Sequence, residues 1–173
     1  MLIRKAEPKD AYGIARVRVN GWRTTYRGIV PADFLLKLGS NAIEWSEKVR
    51  SALAKREVEG FVATVDEEIV GFVLYGEERT GDYPEHRNEI YAIYILEDHQ
   101  RNGIGSLLIE RAVQAMSNHG LIIWALELNP YRTFYERRDG QVIDAKERLF
   151  GELALREVAY GWTKGNYDAI VGA

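Results

Sequence analysis

The run Gln100-Arg101-Asn102-Gly103-Ile104-Gly105 has the residue types and spacing of a phosphate-binding turn. It follows the strand-like run Ile90–Ile95 and precedes the helix-like run Ser106–Val113. Backbone N–H groups at a helix N-terminus have no partner within the helix, and the helix dipole favours an anion there. Because glycine has no Cβ, a pyrophosphate can approach the backbone closely at Gly103 and Gly105. The turn therefore predicts binding of a phosphate-bearing cofactor.

Two better-known phosphate-binding patterns do not explain this turn. A P-loop requires Gly-x-x-x-x-Gly-Lys-Ser/Thr, and the chain contains no such run. A dinucleotide-binding turn of the Rossmann type requires a third glycine three residues after Gly105, where Leu108 stands. The Rossmann turn also lies in an N-terminal βαβ unit, whereas this turn comes late in the chain, after an antiparallel hairpin.

The composition is that of an ordinary globular protein. The 173 residues suit one domain, 1–173, with a sizeable core, and 46% of them are hydrophobic and 28% charged. The net charge of −3 does not indicate a nucleic-acid partner. The absence of cysteine excludes disulfides, thiolate metal sites and a cysteine nucleophile. Because the N-terminus lacks an apolar signal region and no segment approaches the length of a membrane span, we expect a soluble, cytoplasmic protein.

The spacing of apolar residues predicts an α+β domain with a mixed, mostly antiparallel sheet. The predicted strands are 2–6, 60–65, 69–75, 89–95, 121–126, 142–145 and 153–162. The predicted helices are 8–22, 31–39, 41–54, 106–118 and 131–137. The continuous apolar run Leu121–Leu126 is typical of a strand that is covered on both faces.

The turn, the order of the elements and a downstream segment together resemble the GNAT superfamily of N-acetyltransferases. Gln-x-x-Gly-x-Gly after a strand is similar to the family's phosphate-binding motif, and the segment Asn129–Tyr135 is similar to its Asn-x-x-x-x-x-Tyr element beside the cofactor thiol. The order of strands and helices from Leu2 to Trp162 also matches the family. The resemblance implies a GNAT fold, in which helices flank a central sheet of about seven strands that splays apart in the middle (α/β/α).

The resemblance implies that acetyl-CoA is the cosubstrate, with no metal, and that it lies between the strand ending at Ile95 and the strand 121–126. The pantetheine arm would pair with the edge of the first of these strands, and the pyrophosphate would sit on the backbone amides of the turn. Asn129 could cap the short helix, bond the pantetheine, or do both. The implied cofactor-binding residues are Ile93, Tyr94, Ile95, Gln100, Arg101, Asn102, Gly103, Ile104, Gly105, Ser106 and Asn129.

The resemblance also assigns the two proton transfers of amine acetylation. Tyr135 matches the family position that protonates the departing thiolate, and a phenol carries its proton at neutral pH. Glu89, eleven residues before Gln100, matches the position of a glutamate that deprotonates the amine through water, and partial desolvation would raise its pKa usefully. The alternatives are an ordinary buried aromatic for Tyr135 and a solvated carboxylate at a strand start for Glu89.

The acceptor side is less well defined. Trp22 and Tyr26, four residues apart, match a segment that forms one wall of the family's acceptor site, although core packing would explain them equally well. Weaker candidates for this pocket are Tyr75, Tyr91 and Tyr160, and His86 is expected on the surface near the pocket mouth.

The predicted function is acetyl transfer from acetyl-CoA to a primary amine: a polyamine, a small amine, an amino-acid derivative or a protein N-terminus. The mild acidity of the chain favours a cationic acceptor. A regulatory or pseudoenzyme module that binds acyl-CoA without turnover is the alternative, and a nucleotide-binding domain is a third. The resemblance leaves a homodimer open, with Leu153–Trp162 as its candidate edge strand.

Overall fold

The computed structural model describes residues 1–117 and 119–171 of the chain. Its strands are β1 (Leu2–Lys5), β2 (Glu59–Val65), β3 (Glu68–Glu77), β4 (Asn88–Ile95), β5 (Leu121–Leu126), β6 (Gln141–Phe150) and β7 (Leu153–Trp162). Its α-helices are α1 (Ala11–Thr25), α2 (Ala32–Ser40), α3 (Ala42–Lys55), α4 (Ile104–Ala115) and α5 (Thr133–Glu136). Short 3-10 helices lie at Pro8–Asp10, Glu97–His99 and Tyr167–Ile170.

The seven strands form one sheet in the order β1-β2-β3-β4-β5-β7-β6. Every neighbouring pair is antiparallel except β4 and β5, which are parallel. Strands β2, β3 and β4 form the expected three-strand meander. The predicted mixed, mostly antiparallel sheet is therefore confirmed.

The sheet opens between its two parallel strands. Pairing of β4 with β5 is confined to Asn88–Ile90 and Leu121–Ile123. Beyond this point β4 still pairs with β3 as far as Ile95, and β5 still pairs with β7 as far as Leu126. The remainder of β4 thus has one edge without a strand neighbour, which is the splay that the family resemblance implied.

The sheet has a helical layer on each face. Helices α1 and α3 cover one face, where Ile14, Val17 and Val49 pack against Val62 and Phe72. Helix α4 covers the other face through its apolar stripe, which recurs at helical spacing. That stripe consists of Ile104, Leu108, Ile109, Ala112 and Val113.

Several predicted element boundaries differ from the structure. Helix α1 begins three residues later than predicted, after a 3-10 turn, and continues to Thr25. Helix α4 begins at Ile104 because Gly103, with φ 77°, is its N-cap. It ends at Ala115, and the predicted end at position 118 lies outside the described residues, as do 172 and 173 of the predicted domain.

The prediction of β7 as a free edge strand was wrong. A tight turn at Gly151-Glu152 folds β7 back between β6 and β5, so β6 lies at the edge instead. Strand β6 is also longer than the predicted 142–145. The prediction ended too early because the strand continues through the exposed, charged run Lys146–Arg148, which does not have the apolar pattern of a strand. A dimer through the Leu153–Trp162 edge is therefore excluded by this topology.

Candidate active site

The predicted phosphate-binding turn has a backbone suited to an anion. Arg101 (φ 60°) and Gly103 (φ 77°) both adopt the left-handed conformation, and α4 begins at the next residue, Ile104. Residues that alternate between left-handed and other conformations turn successive N–H groups toward one concave side. The turn lines a cavity of about 340 Å³ that also reaches Ile93, Ile95 and Tyr135.

The two glycines of the turn leave room on the cavity side. A Cβ at Gly103 would have no other atom within 4 Å, and one at Gly105 would meet only Ile95 Cδ1, at 3.4 Å. Packing within the protein would therefore tolerate a Cβ at both positions, but the positive φ of Gly103 favours glycine there. The vacant space fits a phosphate group that approaches the backbone from the cavity.

The free edge of β4 offers backbone hydrogen bonds at alternate residues. The Leu96 N–H donates to Val70 O at 2.8 Å and therefore points toward β3. Because backbone direction alternates along a strand, the N–H and C=O groups of Ile93 and Ile95 face the cleft, whereas those of Tyr94 face β3. Tyr94 also lines this cavity, and its ring packs against Phe72 on the α1 side of the sheet.

The side chain of Gln100 is already used within the protein. Its Nε2 donates to Ile95 O at 3.0 Å, and its Oε1 accepts a hydrogen bond from the Tyr131 hydroxyl at 2.8 Å. Its backbone N–H donates to Glu97 O at 3.1 Å. Gln100 therefore ties the turn to the end of β4 and to the segment before α5, and the N–H groups suited to phosphate begin at the next residue. Tyr131 was not predicted, because nothing in its local sequence pairs it with the turn.

Arg138 lies beside the turn, although its sequence context favours a solvated helix face over a contact with cofactor phosphates. Its Nη2 donates to Ser106 Oγ at 2.8 Å, and its guanidinium lies 3.8 Å from the centre of the Phe134 ring. Its Nε is buried without a partner, and burial lowers the pKa of the guanidinium. Among the described residues it has no carboxylate partner, which suits a cofactor phosphate. Its neighbour Arg132 instead pairs with Glu136 at 3.4 Å.

Tyr135 and Asn129 both line the 340 Å³ cavity beside the turn. Tyr135 is buried, which raises the pKa of its phenol to about 12, and its hydroxyl bonds to none of the described residues. Asn129 Nδ2 donates to the Tyr26 hydroxyl at 3.0 Å, and its Oδ1 accepts the Tyr131 N–H at 2.8 Å. Asn129 thus supports the turn before α5 and also orients Tyr26, but it does not cap α5, whose N-cap is Arg132.

A small gap joins the 340 Å³ cavity to a second, larger cavity on the α1 side of the sheet. The gap measures about 60 Å³ and is lined by residues from both sides, including Tyr26, Tyr94, Asn129 and Tyr135. The second cavity measures about 700 Å³. Its aromatic walls are Trp22, Tyr26, Trp45, Tyr91, Tyr94 and Trp124. The splay therefore connects two cavities at the point where a thioester and an acceptor would meet.

Trp22 and Tyr26 pack in the core and also line the second cavity. Their ring centres lie 4.6 Å apart, and Trp22 also packs against Phe34 and Phe150. Both side chains are buried, yet both line the second cavity. They are core residues whose exposed edges form its wall.

Glu89 lies in the second cavity but is not a solvated carboxylate. Only 2% of the residue is exposed, and both carboxylate oxygens are held by Arg79, with Nε to Oε2 at 3.0 Å and Nη2 to Oε1. The Arg79 N–H adds a longer bond to Oε2, at 3.4 Å. The hydrogen bonds to Glu89 raise the pKa of Arg79. Sequence reasoning missed this pair, because Arg79 lies on the loop after β3.

Three other predicted residues lie away from both cavities. Tyr75 stacks on Phe61 beneath α4, and the Tyr160 hydroxyl donates to Glu136 Oε1 at 3.0 Å. His86 was expected on the surface but is buried, with an unpartnered Nε2, and burial lowers its pKa. Of the weaker candidates, only Tyr91 lines the second cavity.

Residues 1–117 and 119–171 contain no helix long and apolar enough to cross a membrane. The same residues contain no cluster of three or more side chains arranged to hold a metal ion.

Comparisons with known proteins agree with this geometry. A sequence profile described as the acetyltransferase (GNAT) family matches residues 23–140. The chain is 33% identical over 165 residues to YuaI of Bacillus subtilis, named an uncharacterized N-acetyltransferase, with 92% of this chain and 91% of YuaI covered.

Two solved structures share the fold. The PaiA N-acetyltransferase of Thermoplasma acidophilum, in complex with coenzyme A, has a TM-score of 0.68 at 14% identity, covering 94% of this chain and 100% of that one. YncA of Salmonella typhimurium, a putative acetyltransferase with acetyl-CoA, has a TM-score of 0.68 at 14% identity, covering 95% and 94%.

Proposed function

Because the chain belongs to the GNAT family of acetyltransferases, we propose that it moves an acetyl group from acetyl-CoA to a primary amine by direct attack in a ternary complex. The observation that carries this proposal is the pair of cavities that meet at the splay beside Tyr135. A donor cavity alone would suit a module that only binds acyl-CoA. The second cavity, with a carboxylate in its wall, favours an enzyme with a separate acceptor site.

The 340 Å³ cavity beside the turn, which we call the donor cavity, has the groups that acetyl-CoA would need. We propose that the amides of residues 101–105 hold the pyrophosphate, with Arg138 beside it, and that the free edge of β4 at Ile93 and Ile95 pairs with the pantetheine arm. The solved PaiA and YncA structures contain coenzyme A and acetyl-CoA respectively, which supports this assignment. Acetyl-CoA supplies the activated acetyl group.

Three groups near the gap between the two cavities have separate roles in the proposed reaction. The Ile95 N–H, which faces the cleft, would stabilise charge on the thioester oxygen. Tyr135 keeps its proton at neutral pH, because burial raises its pKa to about 12, and would donate that proton to the departing sulfur. Glu89 would accept the amine proton through a water, since Oε1 has one hydrogen bond from Arg79 and retains a lone pair.

A Glu89→Gln variant is expected to lower kcat about tenfold. This loss is below the usual range for a general base, because Arg79 holds both carboxylate oxygens and the proton must pass through a water. Arg79→Met, which leaves the carboxylate in place, should lose less than Glu89→Gln. Steady-state kinetics of both variants measure the difference, and equal losses would show that Glu89 acts only through the ion pair.

A thiol-release assay with acetyl-CoA tests the proposed reaction directly. The acceptor panel comprises polyamines, small amines, amino acids and peptides with a free N-terminus, and coenzyme A binding is measured in parallel by calorimetry. We expect acceptor-dependent release of coenzyme A for at least one of these classes. Tight coenzyme A binding without turnover of any acceptor would favour the regulatory module, and tight binding of ATP or NAD would favour a nucleotide-binding domain.

A further inference from the structure

The charged side chains around the acceptor cavity do not balance. Arg79 pairs with Glu89, and Arg148 Nη1 pairs with Glu157 Oε1 at 2.8 Å. Both pairs belong to the wall of the 700 Å³ cavity. The wall contains two further cations, Arg18 and Lys146, and neither has a carboxylate partner among the described residues.

Arg18 is the more informative of these two cations. It projects from α1, is partly buried, and its guanidinium carbon lies 4.4 Å from the centre of the Trp45 ring. Its N–H groups donate to no acceptor within the described part of the chain. Burial lowers the pKa of Arg18, the neighbouring Tyr94 raises it in part, and the charge of Arg148 lowers it further, while no carboxylate among the described residues pairs with the guanidinium. A partly desolvated cation of this kind is stabilised when a ligand supplies an anion.

The second cation comes from the sheet. Lys146, on β6, places its Nζ 3.9 Å from the centre of the Trp124 ring. Glu147 also borders the cavity, but side chains alternate along a strand, so the Glu147 side chain leaves on the other face from Lys146 and Arg148. Two unpaired positive charges therefore face the cavity, and no unpaired carboxylate faces it from the described residues.

We propose that the acceptor is a small primary amine whose other end carries a carboxylate, which Arg18 binds in the aromatic cavity. The inference rests on the proposed acetyl transfer. Arg18 and Trp45 line the large cavity but not the 60 Å³ junction, so the carboxylate lies at a distance from the amine that reacts there. The aromatic walls suit an apolar body between the two ends.

The positive charges of Arg18 and Lys146 in the cavity should affect acceptor binding more than the net negative charge of the whole chain does. The net charge of −3 favoured a cationic acceptor such as a polyamine. A polyamine bound in this cavity would place its second ammonium near Arg18 and Lys146, which repel it. A carboxylate there would instead form a charge-assisted, fork-like contact with the guanidinium.

Matched acceptors test the proposal. We expect kcat/KM for 4-(aminomethyl)benzoate to exceed that for 4-(aminomethyl)benzamide by about tenfold or more, and that for spermidine by more than that. Arg18→Met should remove the preference for the carboxylate, and Arg18→Lys should keep part of it. Arg111→Met, which removes an exposed charge on α4 outside the cavities, is the control and should leave the preference unchanged.

A binding measurement separates this inference from the proposed function. Calorimetry with coenzyme A-saturated protein compares 4-(acetamidomethyl)benzoate with its amide, in the parent protein and in Arg18→Met. An Arg18-dependent preference for the carboxylate supports the inference even if no acceptor is turned over, in which case only the proposed turnover fails. Turnover of amide and carboxylate at equal rates, or a preference that survives in Arg18→Met, overturns the inference and leaves the acetyl transfer standing.

Discussion

A Tyr135→Phe variant is expected to lose about 1,000-fold in kcat while binding coenzyme A as tightly as the parent protein. The hydroxyl bonds to none of the described residues and lines both the donor cavity and the junction, so its removal breaks no protein contact seen there. The ring stays packed against Tyr160 and Trp162, so the fold should be retained. Because the pKa of Tyr135 is raised to about 12, the residue should cause no fall in rate between about pH 6 and 9.

Tyr167→Phe is the matched control for this variant. Tyr167 is also a buried tyrosine of the α4-side core, and its hydroxyl is buried without a partner, away from all three cavities. Its kcat should equal that of the parent protein. If Tyr135→Phe retained full activity, the thiolate would leave without a proton from this residue, and the assignment of Tyr135 as the acid would be wrong.

A Gly105→Ala variant is expected to weaken coenzyme A binding by about 10- to 100-fold while leaving the fold as stable as before or slightly more so. The new Cβ would make only an ordinary contact, 3.4 Å from Ile95 Cδ1, and alanine is the better helix former by about 0.5–1 kcal/mol. The methyl group would occupy the side from which the pyrophosphate approaches the turn. Affinity and stability should therefore change in opposite directions.

Calorimetric titration with coenzyme A and thermal unfolding of the free protein measure the two effects of Gly105→Ala. Gly165→Ala is the control, because a Cβ there would meet only Thr163 Oγ1, at 3.8 Å, and the residue lies outside the cavities. It should change neither coenzyme A binding nor the acetylation rate. Unchanged affinity in Gly105→Ala would show that the phosphate does not use this side of the turn.

The turn between β4 and α4 was predictable from the sequence because its features are local. A helix N-terminus with glycine at positions 103 and 105 follows a strand within a few residues, so residue order alone brings the amides together. The identity of the family followed from the same turn and the order of the elements. The predicted boundaries were least accurate at β6, where an exposed edge strand carries charged residues.

The partners of the site side chains were not predictable, because they come from distant parts of the chain. Tyr26 and Asn129 are 103 residues apart and meet only when α1 packs over the splayed strands. Gln100 and Tyr131 are joined in the same way across 31 residues. Glu89 had the expected position, but its ion pair with Arg79 depends on how the loop after β3 folds back.

The sequence by itself determined the turn between β4 and α4, the order of the elements and the family, because these depend on residue types at fixed, short spacings. Only the tertiary structure decided which charges face the 700 Å³ cavity. Arg18 and Lys146 come from different elements, and each is left unpaired because the neighbouring carboxylates, Glu89 and Glu157, are taken by Arg79 and Arg148. Such a balance depends on strand register and helix packing over the whole chain, so no local pattern encodes it.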